Sequence, residues 1–373
     1  MMKQIANNLY YGFLQMMTVL TATVLVGQLA GLSVPVILFT TGLGTLIYTV
    51  VTRGRTPIAV GTSGSWLGTM IAMSVFGLDH IVGVSILGGL WYVAFGLLIK
   101  CKPNVLKIFT PHILNLAVLM IALNLIATAV GLISTAPITG IATVVAIALL
   151  MNIKSLERYS FPLGVLIGTF VHGFTKGLTL KVATMFIPTL VLPAFNLTTF
   201  GASLIFIALV TEALGDSKLV ADATGKGYEP HSVIIGNGLA SIVSGLFGGM
   251  SLTTYSESCA LTRATKHTDY RAIIICGLLY IAMSFITPIT TLINFIPIEA
   301  LSGLLLYLFS SVAVAKISDI KATDKGEEIV AIIGISAFFL APYVLPNISQ
   351  IAVGMLSMVA THLILKLIKR NKK

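Results

Sequence analysis

The sequence predicts an all-α polytopic membrane protein. About fourteen transmembrane spans form a 7+7 inverted repeat, with short strands in broken spans 3 and 10. Three observations predict it. First, 56% of the 373 residues are hydrophobic and only 10% are charged, with mean hydropathy +0.99, whereas soluble domains carry roughly 25% charged residues. Second, Lys and Arg collect in alternate loops. Third, two spans break at Gly-rich, polar sequence and resemble one another.

In chain order the apolar stretches are 9–30, 33–51, 57–77, 80–99, 110–133, 137–153, 160–176, 198–217, 232–248, 251–265, 270–288, 298–315, 328–345 and 348–368. Each is near the ~20 residues that cross a bilayer as helix. The first run exceeds a signal-peptide core and flows into the second, so it reads as a retained helix. This partition puts all but Lys176 and Lys181 of the 23 Lys and Arg on one side. The positive-inside rule makes that side cytoplasmic, with both termini there, as in a multi-pass plasma-membrane protein. The net charge of +10 is therefore topological; no nucleic-acid partner is needed, and the basic tail suits anionic lipid. Cys101, Cys259 and Cys276 have no metal or disulfide spacing and read as packing residues. No HExxH, GxSxG or Walker pattern occurs, so the chain reads as no enzyme, without metal or cofactor.

Spans 3 and 10 carry the chemistry. Thr41-Gly-Leu-Gly-Thr-Leu46 leads to Pro57-Ile-Ala-Val-Gly-Thr-Ser-Gly-Ser-Trp66, and Asn237-Gly-Leu-Ala-Ser-Ile242 leads to Ser251-Leu-Thr-Thr-Tyr-Ser-Glu257. Seven spans separate them, an odd number, so the two halves run oppositely through the membrane, as in inverted-repeat transporters. Pro57–Gly61 and Leu252–Tyr255 favour extended structure and are expected to pair as short strands. The half-helices that follow, near Gly64 and Ser256, would aim free N–H groups into a cavity. Glu257 lies in this polar segment, and Glu212 and Asp216 end the eighth span. Acids at membrane depth are costly unless they line a protein cavity. Spans 5–7 and 12–14 lack such interruptions and read as scaffold. Segments 101–109 and 178–196 read as interfacial connectors.

These residues resemble the nucleobase–ascorbate transporter family, also called nucleobase:cation symporter 2, which includes bacterial uracil and xanthine permeases. Leu14-Gln15 and Ala22-Thr-Val-Leu-Val26 resemble its first-span pattern, with Met16 replacing a His. Gly61-Thr-Ser63 resembles Gly-Ser-Ser of span 3. Glu212-Ala-Leu-Gly-Asp216 resembles Glu-His-Ile-Gly-Asp of span 8, and Ile235–Ala240 resembles Leu-Gly-Asn-Gly-Leu-Ala. Thr253-Thr-Tyr-Ser-Glu257 resembles Thr-Thr-Tyr-Gly-Glu of span 10. Ser258, Ala260 and Leu252 depart from the family's Asn, Gly and Asn.

The resemblance implies a core domain of spans 1–4 (residues 1–100) and 8–11 (197–296). It implies a gate domain of spans 5–7 (101–196) and 12–14 (297–373), and often a homodimer. It also implies uptake of a nucleobase such as uracil, xanthine or another purine. A nucleobase edge offers N–H donors beside carbonyl acceptors. Glu212 suits the donors by charge-assisted bonds, and backbone N–H groups at Gly64, Ser65, Ser256 and Glu257 suit the carbonyls. Ala22 joins the substrate-binding set. Trp66 and Tyr255 either stack on the ring or pack.

Burial disfavours a charged carboxylate, so such a group can exchange a proton near neutral pH. Glu257 is the first candidate for the coupled proton, with Glu212 the second and Asp216 as relay, although Asp216 also reads as a solvated helix end. Sodium held by Thr253, Thr254 and Ser256 is the alternative ion. An anion exchanger with the architecture of sulfate and bicarbonate carriers is the alternative function, disfavoured by two unneutralised carboxylates and by the absence of a mid-span base. A channel or non-transporting scaffold would leave those acids without a purpose.

Overall fold

The computed structural model describes residues 2–62, 64–108, 110–177, 185–225, 227, 229–320, 322, 324–345 and 348–371. Helices α1 (Met2–Leu29) and α2 (Val34–Val51) open the chain. Gly31, at φ 82°, turns between them, and Pro35 presets the first turn of α2. The third span is broken, as expected. It runs through strand β1 (Val60–Gly61) and the 3₁₀ turn Gly64–Trp66 into the short helix α3 (Leu67–Ser74). Helices α4 (Leu78–Cys101), α5 (Pro111–Ile133), α6 (Pro137–Met151) and α7 (Ser160–Lys176) follow.

The second half opens with α8 (Leu197–Ser203), capped by Asn196 and Thr199, which runs almost directly into α9 (Ile205–Thr224). Helix α10 (Pro230–Leu246) leads through strand β2 (Thr253–Thr254) to α11 (Ser256–Thr265). Then come α12 (Tyr270–Ser284), α13 (Thr287–Asn294), α14 (Ile298–Asp319), α15 (Lys325–Val344) and α16 (Gln350–Asn371).

Among the described residues eight helical segments are long and apolar enough to cross a membrane, or nine if α12 and α13, bent by 86°, form one span. Large apolar side chains exposed on α5, α6, α7 and α15, including Val130, Ile138, Phe170, Phe174 and Tyr343, suit hydrocarbon rather than water.

The two strands pair antiparallel, Val60 opposite Thr254 and Gly61 opposite Thr253. Two residues per strand cannot satisfy the extended backbone around them, and at membrane depth nothing else would. Neighbouring side chains complete the bonding. Ser258 Oγ accepts from Ala59 N (2.8 Å) and donates to Gln15 Oε1 (2.6 Å). Thr262 Oγ1 donates to Pro57 O, and Thr45 Oγ1 to Val60 O. On the other strand Ser241 Oγ both donates to Leu252 O and accepts from Leu252 N, each at 2.9 Å. Asn237 Nδ2 donates to Thr253 Oγ1 (3.1 Å).

Helix α2 packs along α12, and α4 along α10, each pair through mutual glycines. A Cβ on Gly42 would lie 2.5 Å from Gly277 O, and one on Gly89 would lie 2.6 Å from Gly238 O. The packing leaves no room for a side chain at these crossings.

Some details differ from the sequence reading. Residues 185–195 of the expected 178–196 connector form neither helix nor strand and are pinned by Val191 N to Leu246 O and Ala194 N to Asp79 O; residues 178–184 lie outside the described residues. Cys259 and Cys276 are buried, but Cys101, at the end of α4, is exposed. Asp269 and Asp324 cap α12 and α15 by accepting backbone N–H bonds.

Candidate functional site

A cavity of about 460 Å³ lies where α1, the 3₁₀ turn before α3, α9 and the β2–α11 segment face α5 and α14. It brings together Ala22, Gly64, Glu212, Asp216, Tyr255 and Glu257, six of the positions singled out in the sequence. Ser65 and Ser256 begin the two half-helices, but their side chains lie outside the described residues, as does Ser63.

Helical spacing explains which side chains reach the cavity. On α9 the lining residues are Glu212, Gly215, Asp216 and Leu219, a single i, i+3, i+4, i+7 face. Asp216 is only 8% exposed, so the reading of a solvated helix end fails. Glu257 stands in the first turn of α11, where an N-terminal acid is favoured by the helix dipole. Thr254 lines the cavity beside it.

Tyr255 is fixed from both sides. Its hydroxyl donates to Thr62 O (2.8 Å), and Thr62 Oγ1 donates to Thr23 O (2.9 Å). Its ring edge would lie 2.9 Å from a Cβ on Gly61, so glycine there lets the two strands and α1 close together. Trp66 points elsewhere: it is fully buried and stacks on Phe206, with ring centroids 4.8 Å apart. Its role is packing.

The opposite wall is largely apolar. Leu114, Val118 and Ile121 come from α5, and Leu305, Leu308, Phe309 and Val312 from α14. One polar pair interrupts it. Lys316 Nζ donates to Asn115 Oδ1 (3.1 Å) and to Asp319 Oδ2 (3.2 Å), and both Asn115 and Lys316 line the cavity. These residues, with Phe309, escaped the sequence reading. From the sequence Lys316 reads as a loop base, yet it extends the face of Leu305, Leu308, Phe309 and Val312 by one further turn. Phe309 and Asn115 sit in apolar helices where nothing in composition marks them.

The arrangement places three carboxylates on one wall, with a single lysine opposite whose charge is already shared with Asp319. Such a site suits a neutral ligand rich in N–H donors better than an anion. Among the described residues no group of His, Cys, Asp and Glu is placed to hold a metal ion. Thr253 Oγ1, an oxygen of the sodium alternative, is engaged by Asn237.

The Xan_ur_permease sequence model, described as "Permease family", matches residues 6–341. A putative pyrimidine permease, RutG of Escherichia coli K12, is 29% identical over 326 residues, covering 79% of this chain and 73% of that protein. The uracil permease of Bacillus caldolyticus is 28% identical, covering 78% and 74%, and that of Bacillus subtilis 27%, covering 78% and 75%. Among solved structures, the transmembrane domain of the cyanobacterial bicarbonate transporter BicA aligns with TM-score 0.68 at 15% identity over 97% of both chains. The overall structure of SLC26A9 aligns with TM-score 0.76 at 13% identity, covering 98% of this chain and 66% of that one. At such identities these two likenesses show the fold: a helical membrane transporter.

Proposed function

The chain belongs to the permease family, and from that membership we propose that it is a secondary active transporter that imports a nucleobase by proton symport. It is a multi-pass membrane protein and not an enzyme. The curated relatives, named as pyrimidine and uracil permeases, put uracil first among the candidates, ahead of xanthine and other purines.

The observation that carries the reading is the cavity itself. Glu212, Asp216 and Glu257 meet there, against an apolar wall from α5 and α14. In this reading Glu212 accepts two N–H bonds from the base. N–H groups at the starts of α3 and α11 face its carbonyls, and Ala22 and Tyr255 bound the ring. Glu257 carries the coupled proton, and Asp216, one turn from Glu212, relays it.

The fourteen-span, 7+7 arrangement belongs to the same proposal. Its support is reciprocity: the Gly42–Gly277 and Gly89–Gly238 crossings join the second span to the eleventh and the fourth to the ninth, as a two-fold axis in the membrane requires. The domains proposed are a core of 1–100 and 197–296 and a gate of 101–196 and 297–373, the cavity lying between them. Lys316 and Asp319 stand at the base-rich end, so this conformation reads as open to the cytoplasm, with core and gate alternating access. Membrane lipid surrounds the chain, and a homodimer through the gate is the expected assembly.

The likeness to BicA and SLC26A9 raises an anion exchanger as the second reading. Three carboxylates in the cavity argue against it. The test is uptake into proteoliposomes. An inward proton gradient should drive radiolabelled uracil to accumulate, and sulfate or bicarbonate should not compete. Base-independent sulfate flux, with no uptake of any base, would replace this reading by the second.

A further inference from the structure

Asp79, His80 and Asn196 form a polar cluster outside the cavity, at the N-terminal end of α4; Lys100 marks the other end of that helix. His80 Nδ1 lies 3.1 Å from Asp79 Oδ1, and Asn196 Nδ2 lies 3.0 Å from His80 Nε2. The donors can be assigned. Asn196 caps α8: its Oδ1 accepts from Thr199 N at 2.9 Å, and Thr199 Oγ1 accepts from Asn196 N at 3.0 Å. With its oxygen so committed, Asn196 offers His80 only an N–H. His80 Nε2 must then accept, so the ring is neutral, with its one proton on Nδ1 and donated to Asp79.

A second proton would go to Nε2, and there it would meet the Asn196 amide, donor against donor. The other neighbours favour the charge. From α4 comes Asp79, the one charged side chain within ion-pair reach of the ring among the described residues. From the turn after α3 comes Phe76, its ring centroid 5.4 Å away, close enough for a cation–π contact. Protonation therefore exchanges partners: the bond from Asn196 is lost and the bond to Asp79 becomes charge-assisted. What Asn196 secures is the end of the chain that joins α7 to α8. Ala194 N donates to Asp79 O (2.9 Å) and Val191 N to Leu246 O (2.9 Å). A Cβ on Gly83 would collide with Ala194 O, so this segment lies directly on the α4 backbone.

We propose that His80 is a proton-operated latch. Neutral, it ties the cap of α8 to the first turn of α4; protonated, it releases Asn196 and pairs with Asp79 alone. The segment it secures joins the proposed gate to the proposed core, and the topology proposed above puts it on the outer face. Acid outside, the condition that drives a proton symporter, then loosens the anchor between the two domains. Only this last step rests on the proposed function; the latch itself needs no substrate.

The test is hydrogen exchange of the detergent-purified full-length protein, read on peptides covering residues 190–199 at about pH 7.5 and about pH 5.5 and corrected for the intrinsic exchange rate. Wild type is compared with His80→Gln and Asn196→Asp. Glutamine offers an uncharged acceptor at either pH. Aspartate still caps α8 but meets His80 with an acceptor in place of a donor. In wild type the protection of this segment should fall about threefold or more on acidification. In His80→Gln it should hold, and in Asn196→Asp it should rise, because the charged ring gains an ion pair. Unliganded melting temperatures check that both variants fold. Wild-type protection that ignores pH would overturn the proposal, as would an equal fall in His80→Gln, which would trace the effect to another group. The exchange is read without substrate, so failure of the nucleobase reading and failure of the latch are separate results.

Discussion

Single side chains decide three outcomes. Glu212→Gln keeps the shape of the side chain but replaces one acceptor oxygen by a donor. Charge-assisted bonds are roughly twice as strong as neutral ones, so base affinity should fall at least tenfold, about 1.4 kcal/mol, in a ligand-binding titration. Glu257→Gln should leave binding and abolish proton-driven accumulation, read as uptake that no longer responds to an imposed pH gradient. Asp269 tests the loop before α12. Partial burial works against its charge, but hydrogen bonds from Asn8, Arg271 N and Gln4, with the Arg271 charge, outweigh it and hold the carboxyl below its usual range. A depressed folded-state pKa gives stability above the unfolded value, lost as pH falls through the folded one. The melting temperature should therefore drop below about pH 4 more steeply in wild type than in Asp269→Asn.

At the scale of elements, the broken spans depend on side chains that replace a sheet. Ser258→Ala would strip the partner from Ala59 N and from Gln15 Oε1, both buried. Leaving such groups unpaired costs about 1–3 kcal/mol, and thermal unfolding should register it as a melting temperature lower by several degrees. The helix crossings are equally specific. Gly42→Val must push against Gly277 O, whereas a Cβ on Gly131 meets nothing within 4 Å. Gly42→Val should abolish folded protein on size exclusion, and Gly131→Ala should be neutral.

These elements also show what the sequence made legible. The breaks at Pro57–Trp66 and Ser251–Glu257 were visible because polar and extended-favouring residues interrupt apolar runs. Phe309, Asn115 and Lys316 were not. An apolar helix facing a cavity and one facing lipid have the same composition, and only the partner across the gap tells them apart. Trp66 was ambiguous for the same reason: its partner Phe206 lies 140 residues away in the chain.

For the whole molecule, the charge split along the chain and the position of the cavity make one joint claim. In the proposed reading the cavity opens at the base-rich end, which the positive-inside rule makes cytoplasmic. A Lys316→Cys variant in a Cys101→Ser background should react with a membrane-impermeant thiol reagent only in inside-out vesicles, and substrate should slow the reaction. Labelling from the outside would reverse the orientation.

The central claim is that Glu212 recognises a nucleobase in this cavity. Its most direct test is thermal stabilisation of the purified protein by uracil, xanthine, hypoxanthine, guanine, adenine and urate, since a ligand of the folded state raises the melting point by mass action. The account predicts a shift with uracil or one of the purines that disappears in Glu212→Gln. An undiminished shift in that variant, or folded wild-type protein that responds to none of the six, would contradict it.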